Sequence, residues 1–173
     1  MVRDLAADVL HGTSIIDAMK AADVSHILAV PDLHTSSGLL ARIADDRTLQ
    51  LIRVCKEDET IGISAGLSYG SIRSICLFQY TGFLFAMNAI RAVAVEQSMP
   101  ICMMIGLLGK EPGVAPTESA RFGVRIVEPI LDQLGIEHHL IENETDVGAI
   151  PPAIETAYGK HRPMALLIGR RPV

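Results

Sequence analysis

Short apolar runs alternate with helix-like segments along the 173 residues, and this alternation limits the folds that the chain can adopt. A strand, a helix and a second strand in succession form a right-handed crossover between parallel strands. Apolar residues make up 49% of the sequence but aromatic residues only 4%, so the core must be mainly aliphatic. The pattern predicts one three-layer α/β domain over residues 1–173, with a parallel sheet of about six strands at residues 27–30, 51–54, 74–78, 101–105, 137–141 and 164–168.

Helices are predicted in the intervals between these runs, where apolar residues recur at helical spacing. The predicted helices cover about residues 13–22, 36–43, 57–70, 82–97, 120–134 and 146–158. In the third helix, Gly62, Ser64, Ala65 and Gly66 are predicted to face the core, because helical glycine is typical of close approach by another backbone or a ligand. A glycine- and proline-rich loop over residues 106–119 is longer than most loops, which is typical of functional loops.

The charge and the cysteines of the chain exclude several classes of protein. The formal net charge is −5 and no basic cluster is present, so nucleic acid is not an expected partner. Cys55, Cys76 and Cys102 are dispersed and odd in number, which predicts buried, unreactive thiols in a reducing compartment. Asp4 and Asp8 stand where a signal peptide would have its apolar core, and no apolar run approaches the roughly 18 residues that cross a membrane. We therefore expect a soluble cytoplasmic protein without membrane contact.

Three of the predicted strands end in segments that carry small or polar residues. These segments are 30–32 (Val-Pro-Asp), 56–66 (Lys-Glu-Asp-Glu-Thr-Ile-Gly-Ile-Ser-Ala-Gly) and 79–84 (Gln-Tyr-Thr-Gly-Phe-Leu), with Asn88 further along the chain. Functional groups of an open α/β sheet lie outside the carboxyl ends of its strands. The three segments are therefore expected at one edge of the sheet, with Glu57 at the turn between a strand and a helix.

In this order and spacing, the three segments resemble the pyrimidine-binding domain of thiamine diphosphate (ThDP) enzymes. The resemblance is closest to the α subunits of sulfopyruvate and phosphonopyruvate decarboxylases and covers nearly the whole chain. It implies that Glu57 hydrogen-bonds a ring nitrogen of the aminopyrimidine and thereby promotes removal of the thiazolium proton, a role that needs a carboxyl group shielded from water. The cofactor-binding residues that it implies are Glu57, Pro31, Gln79, Tyr80, Thr81, Gly82 and Asn88.

The sequence departs from that family pattern beside the 79–82 turn. Tyr80 stands where Asn is common, and Leu84 and Phe85 replace Gly-Asn, which implies a more apolar pocket wall. Read without the resemblance, the 79–82 segment is a tight turn before a core helix. In the same reading, the acidic triplet 57–59 stabilises the N-terminus of a helix by interacting with the helix dipole. For Asp58 and Glu59 this interpretation is kept even with the resemblance, and the alternative is that these two residues lie at an interface.

Further charged residues are candidates for catalysis and for substrate binding. Asp32 and His34 follow the first strand and could transfer protons or bind a substrate acid group. Alternatively, Asp32 only ends the strand and His34 is a solvated loop residue. Lys110 and Arg121, with Arg125, could hold the sulfonate, phosphonate or carboxylate tail of a substrate, or they are solvated charges.

The sequence lacks a motif that the resemblance would require for a complete enzyme. ThDP enzymes bind the diphosphate through a second domain with Gly-Asp-Gly and a later Asn around a divalent metal, and this chain contains no Gly-Asp-Gly. The expectation is thus the α subunit of a ThDP-dependent 2-oxo acid decarboxylase in a hetero-oligomer, whose separate β subunit binds the diphosphate and Mg²⁺. The alternatives are a carboligase subunit similar to acetolactate synthase, and a non-catalytic α/β module that assembles a complex or binds a ligand.

Overall fold

A computed structural model describes residues 9–173, so Asp4 and Asp8 lie outside the described part of the chain. Its centre is a six-stranded sheet in the order β2-β1-β3-β4-β6-β5, and every neighbouring pair of strands is parallel. The predicted α/β fold is confirmed. The strands are β1 (Val24–Ala29), β2 (Gln50–Arg53), β3 (Arg73–Gln79), β4 (Cys102–Gly106), β5 (Glu137–Ile141) and β6 (Met164–Ile168).

Helices cover both faces of the sheet, each over its own aliphatic core. The helices α1, α2, α8 and α9 lie on one face, and α3 to α7 lie on the other. The helices are α1 (Gly12–Ala21), α2 (Ala41–Asp45), α3 (Glu57–Tyr69), α4 (Tyr80–Phe85), α5 (Met87–Ala89), α6 (Phe122–Arg125), α7 (Val127–Gln133), α8 (Glu144–Val147) and α9 (Ile150–Lys160). A π-helical segment, Ser36–Leu40, leads into α2, and a second one, Ile90–Val95, follows α5. A 3₁₀ turn lies at Pro116–Glu118.

The apolar character of each strand follows from its place in the sheet. All residues of β4 and β6 are buried, because these central strands are covered by helices on both faces. The edge strands β2 and β5 are only partly buried and carry more polar residues. The apolar runs therefore predict all six strands, and β5 and β6 begin and end as predicted.

The predicted long helices are interrupted in the structure. The helix predicted over 82–97 divides at Ala86, where φ is −82° and ψ is 2°, and continues with π-helical turns that keep Ile90 and Ala94 buried. The helix predicted over 120–134 divides at Ile126. In the helix predicted over 146–158, α9 begins anew with Pro151 and Pro152 in its first turn, where proline is tolerated.

The prediction that Gly62 and Gly66 face the core is wrong. Both glycines are exposed, and a Cβ atom added to either would meet no atom within 4 Å. The core side of α3 is formed instead by larger residues such as Ile61, together with Ser64 and Ala65. The helical period brings the two glycines, four residues apart, to the solvent side of α3.

The three cysteines differ in exposure. Cys76 and Cys102 are buried, and burial raises the pKa of the Cys76 thiol to about 12 and also raises the pKa of Cys102. Cys55 is exposed, because it lies in the turn between β2 and α3 and not within a strand, so the prediction that it is buried is wrong. Among residues 9–173, no helix is both long and apolar enough to cross a membrane.

Candidate active site

A cleft opens at the carboxyl edge of the sheet, where β1 and β3 lie side by side. The chain leaves β1 toward the face that carries α2, whereas it leaves β3 toward the face that carries α4. This divergence is the arrangement in which open α/β sheets bind ligands. The cleft has a volume of about 250 Å³ and is lined by residues 30–33, Glu57, Gln79 and Thr81. The edge thus brings together the three segments that the sequence predicts there.

Glu57 is the first residue of α3, and this half-buried residue lines the wall of the cleft. The carboxylate has no hydrogen-bond partner among residues 9–173; only the backbone carbonyl of Glu57 accepts a bond, from Thr60 Oγ1 at 2.6 Å. The helix end is capped by Glu59, whose Oε2 accepts bonds from the N–H groups of Cys55 (2.9 Å) and Lys56 (3.2 Å). Glu59 therefore serves the helix end, as predicted, and the Glu57 carboxylate remains available to a ligand.

Gly82 in α4 forms the surface against which the Glu57 side chain lies. A Cβ atom at position 82 would stand 2.4 Å from Glu57 Cγ, 2.7 Å from Cδ and 2.5 Å from Oε1. Any larger residue at this position would displace the carboxylate. The absence of a side chain at Gly82 thus makes room for the glutamate itself, a role that the sequence does not indicate.

The other residues implied to bind the cofactor divide into two groups. Pro31, Gln79 and Thr81 line the cleft, and Gln79 Nε2 donates a 3.1 Å bond to Thr81 Oγ1. Tyr80 packs instead against α6, since a Cβ atom on Gly123 would lie 2.3 Å from Tyr80 Cε2. Asn88 is exposed on α5, where its Oδ1 accepts a 3.0 Å bond from Arg91. The structure does not bring Tyr80 or Asn88 into the cleft.

Asp32 organises the loop that forms one wall of the cleft. Its Oδ1 accepts bonds from the N–H groups of His34 (2.5 Å) and Thr35 (2.7 Å), and its Oδ2 accepts a 2.6 Å bond from Thr35 Oγ1. The backbone N–H of Asp32 donates in turn a 2.9 Å bond to Ser36 Oγ. Although Asp32 lines the cleft, its carboxylate is engaged within its own loop.

His34 is buried, so the interpretation of it as a solvated loop residue is wrong. Its Nε2 lies 2.9 Å from the carbonyl oxygen of Ile168, and its ring packs over Gly106, where an added Cβ would stand 3.2 Å from Cδ2. A carbonyl only accepts, so this contact requires a proton on Nε2. Burial lowers the pKa of His34, although the Ile168 carbonyl and Asp32 oppose this effect. His34 thus fastens the β1 loop to the ends of β4 and β6 and does not line the cleft.

The basic residues proposed to bind a substrate tail lie elsewhere. Lys110 is buried and donates a 2.5 Å bond to Glu142, so its charge is neutralised within the chain. The interpretation of Lys110 as a solvated charge is therefore wrong. Arg125 donates a 2.7 Å bond to the carbonyl of Ser119. Arg121 is exposed, with its side chain lying over Gly109. None of the three lines the cleft.

Leu33 is a cleft residue that the sequence reasoning missed. It lines the cleft although 74% of its surface is exposed. The sequence does contain an indication of its role, because Leu33 is an apolar residue inside an otherwise polar segment, 32–37 (Asp-Leu-His-Thr-Ser-Ser). A second cavity of about 380 Å³ lies between α1 and α2, on the face opposite to α3, and its Asp46 is already paired with Lys20.

The residues at the cleft fit one end of ThDP. An unpartnered carboxylate beside a residue without a side chain can accept a hydrogen bond from a flat, nitrogen-containing ring. Within the described residues there is no group of three or more His, Cys, Asp or Glu side chains that could hold a metal ion. The cleft therefore offers a hydrogen-bond acceptor, the Glu57 carboxylate, to the edge of such a ring.

No protein-family model and no curated protein matches the chain. A solved structure that is similar is the X-ray structure of a protein from Mycobacterium smegmatis assigned as a thiamin diphosphate-dependent enzyme, with a TM-score of 0.62. The alignment covers 94% of this chain at 13% sequence identity, but only 32% of that protein. The likeness therefore shows the fold, and this chain spans about a third of the length of its neighbour.

Proposed function

We propose that this chain is the pyrimidine-binding part of a ThDP-dependent enzyme. The observation that carries the proposal is the carboxylate of Glu57, which borders the cleft without a hydrogen-bond partner among residues 9–173 and lies against Gly82. The fold of the Mycobacterium smegmatis protein, which is assigned as such an enzyme, supports the proposal. So does the resemblance of the segments 30–32, 56–66 and 79–84.

In this function, Glu57 shares a proton with a ring nitrogen of the aminopyrimidine, because that nitrogen donates to a carboxylate only when it carries a proton. When bound, ThDP supplies the carbon nucleophile and holds the electrons released from a 2-oxo acid. The half-buried position of Glu57 limits competition from water for that hydrogen bond. Gly82 keeps the carboxylate in place, and Pro31 forms part of the wall of the cleft.

The proposed reaction is decarboxylation of a small 2-oxo acid, with sulfopyruvate- and phosphonopyruvate-like acids as the first candidates. This choice rests on the resemblance of the three segments. The diphosphate and Mg²⁺ would be bound by a separate β subunit that carries Gly-Asp-Gly. Since Lys110 is paired with Glu142, Arg121 and Arg125 are the remaining basic candidates in this chain for binding the acidic tail.

The test combines this chain with a β chain that carries Gly-Asp-Gly, ThDP and Mg²⁺, and measures carbon dioxide release from a panel of 2-oxo acids. Release should require both chains and should fall by about 100-fold or more in Glu57→Gln, the size of effect typical of a lost acid–base group. Glu59→Gln is the matched control, because it makes the same chemical change in the same turn at a residue that only caps the helix. It should leave most of the activity.

Other outcomes would change the assignment. A stable complex that binds ThDP but forms a carbon–carbon bond between two substrates would indicate a carboligase. A complex that binds no ThDP, with equal behaviour of the Glu57→Gln and wild-type chains, would contradict the proposal and favour a non-catalytic module.

A further inference from the structure

Leu33 is held at the mouth of the cleft by the residues on both sides of it. Asp32 Oδ1 accepts bonds from the N–H groups of His34 and Thr35, so the Asp32 side chain spans the backbone of Leu33. On the other side, the buried His34 ring is fixed to the Ile168 carbonyl. The backbone at Leu33 is therefore fixed before any ligand arrives, and little backbone entropy is lost when its side chain makes a contact.

The contribution of Leu33 to the isolated fold is small. With 74% of its surface exposed, the side chain buries little apolar area within the chain. It lines the same cleft as the Glu57 carboxylate, whose other contributors include the polar residues Gln79 and Thr81. The cleft thus presents apolar side chains, among them that of Leu33 on its fixed backbone, and one unpartnered hydrogen-bond acceptor.

We infer that Leu33 packs against the face of a planar, amino-substituted heteroaromatic ring whose edge is bound by Glu57. Such a ring has an apolar face and a polar, hydrogen-bonding edge, which match the apolar side chains and the Glu57 carboxylate of the cleft. This inference rests on the proposed function and adds a residue that determines how tightly the ring is bound. Asp32 and His34 then act as positioning residues, because they hold Leu33 without contacting the ring themselves.

The experiment follows binding of 4-amino-5-hydroxymethyl-2-methylpyrimidine to this chain by NMR, using the methyl groups of Val30 as the reporter in every variant. Val30 lines the cleft and is unchanged in each of them. Truncating Leu33 to Ala should weaken binding about fivefold, because most of one buried aliphatic contact is lost. Tyr69→Ala is the matched control, since Tyr69 is 82% exposed at the far end of α3 and should not affect binding. The thermal midpoint of Leu33→Ala should equal that of the wild type.

The outcomes separate this inference from the proposed function. Weaker binding in Leu33→Ala, with Tyr69→Ala unchanged, supports the inference. If Leu33→Ala binds as the wild type does while Glu57→Gln binds more weakly, the role of Leu33 is overturned and the proposed function stands. If Leu33→Ala weakens binding and Glu57→Gln does not, the ring lies on Leu33 but the proposed role of Glu57 fails. Absence of binding by the wild type up to the solubility limit of the probe overturns both.

Discussion

Two glutamates at the carboxyl edge of the sheet lie against glycines, yet their surroundings are opposite. Glu57 lies against Gly82 beside the open cleft, and its carboxylate has no hydrogen-bond partner among residues 9–173. Glu142 follows β5 and packs on Gly169, where an added Cβ would stand 2.8 Å from its Cγ. Its Oε1 accepts a 2.5 Å bond from Lys110, whose side chain has an exposed fraction of 0%.

The different surroundings of the two glutamates correspond to two crevices at this edge, at each of which the chain leaves neighbouring strands toward opposite faces of the sheet. One lies between β1 and β3 and is left open as the cleft. The other lies between β4 and β6, and it is filled by the Lys110–Glu142 ion pair and by the His34 ring over Gly106. A carboxylate paired with a buried lysine contributes to the fold, whereas an unpaired one beside open space is available for binding. The comparison therefore supports the open crevice as the proposed binding site, whereas the filled crevice is part of the packing of the fold.

The sharpest test makes the same substitution at both glutamates. Glu142→Gln leaves the buried Lys110 without a charged partner, so the free energy of unfolding should fall by about 3 kcal/mol, as for other broken buried pairs. Glu57→Gln breaks no hydrogen bond within the chain and should change the free energy of unfolding by about 0.5 kcal/mol or less. Urea unfolding of the two variants measures both quantities.

The double variant Lys110→Met/Glu142→Leu checks the cause. Because it removes both charges, it should recover most of the stability that Glu142→Gln loses. Equal destabilisation by the Glu57→Gln and Glu142→Gln substitutions would contradict the division of the two crevices into a binding site and a structural site.

Adding a methyl group to each glycine is expected to give smaller effects of different kinds. Gly169→Ala would push both Leu140 and the paired Glu142 side chain, so it should lower the free energy of unfolding by about 2 kcal/mol, as overpacking does. The three atoms nearest to the added methyl group of Gly82→Ala all belong to the unpaired Glu57 side chain, which can move away at a cost of about 1 kcal/mol or less.

The displaced carboxylate should nevertheless reduce activity of the assembled enzyme about tenfold, because small misplacements of a catalytic group are costly. The test measures two quantities for Gly82→Ala, the activity of the assembled enzyme and the free energy of unfolding. Retained activity would show that the position of Glu57 does not depend on Gly82.

The sheet could be predicted because its signal is local. Buried parallel strands are continuous apolar runs, and the carboxyl-edge rule then places residues 30–32, 56–59 and 79–82 together without any knowledge of side-chain contacts. The helix interruptions at Ala86 and Ile126 were not predictable in this way. They depend on packing against the sheet, and the sequence keeps its helical apolar spacing through both positions.

The side-chain partners at the site also required the structure. Lys110 and Glu142 are 32 residues apart, and His34 and Ile168 are 134 residues apart, so no short-range pattern connects them. The exposure of Gly62 and Gly66 depends on which way α3 is rotated about its axis, and glycine spacing alone does not determine that rotation. In contrast, the sequence could place Glu57 at the cleft. A residue in the turn after a strand is exposed to a ligand through its position at the sheet edge, which does not depend on a partner distant in sequence.

The smallest expected effect concerns pH and the filled crevice. Burial lowers the pKa of His34 below its ordinary value of 6.5, with Asp32 and the Ile168 carbonyl opposing the shift and Arg171 adding to it. The unfolded chain therefore binds a proton at a higher pH than the folded chain does. The stability that His34 contributes is fully present above pH 6.5 and is lost as the pH falls from 6.5 through the lower pKa of the folded state.

Replacing His34 with Gln keeps a hydrogen-bond donor for the Ile168 carbonyl but removes the titrating ring. The free energy of unfolding of His34→Gln should therefore decline less between pH 7 and pH 5 than that of the wild type, and urea unfolding at a series of pH values measures the difference. The effect should appear in stability and leave aminopyrimidine binding at pH 7 nearly unchanged, because His34 does not line the cleft. If the free energy of unfolding varies with pH in the same way for both proteins, the His34 ring is not buried as a neutral group. The crevice between β4 and β6 would then be less completely filled than the comparison of the two glutamates requires.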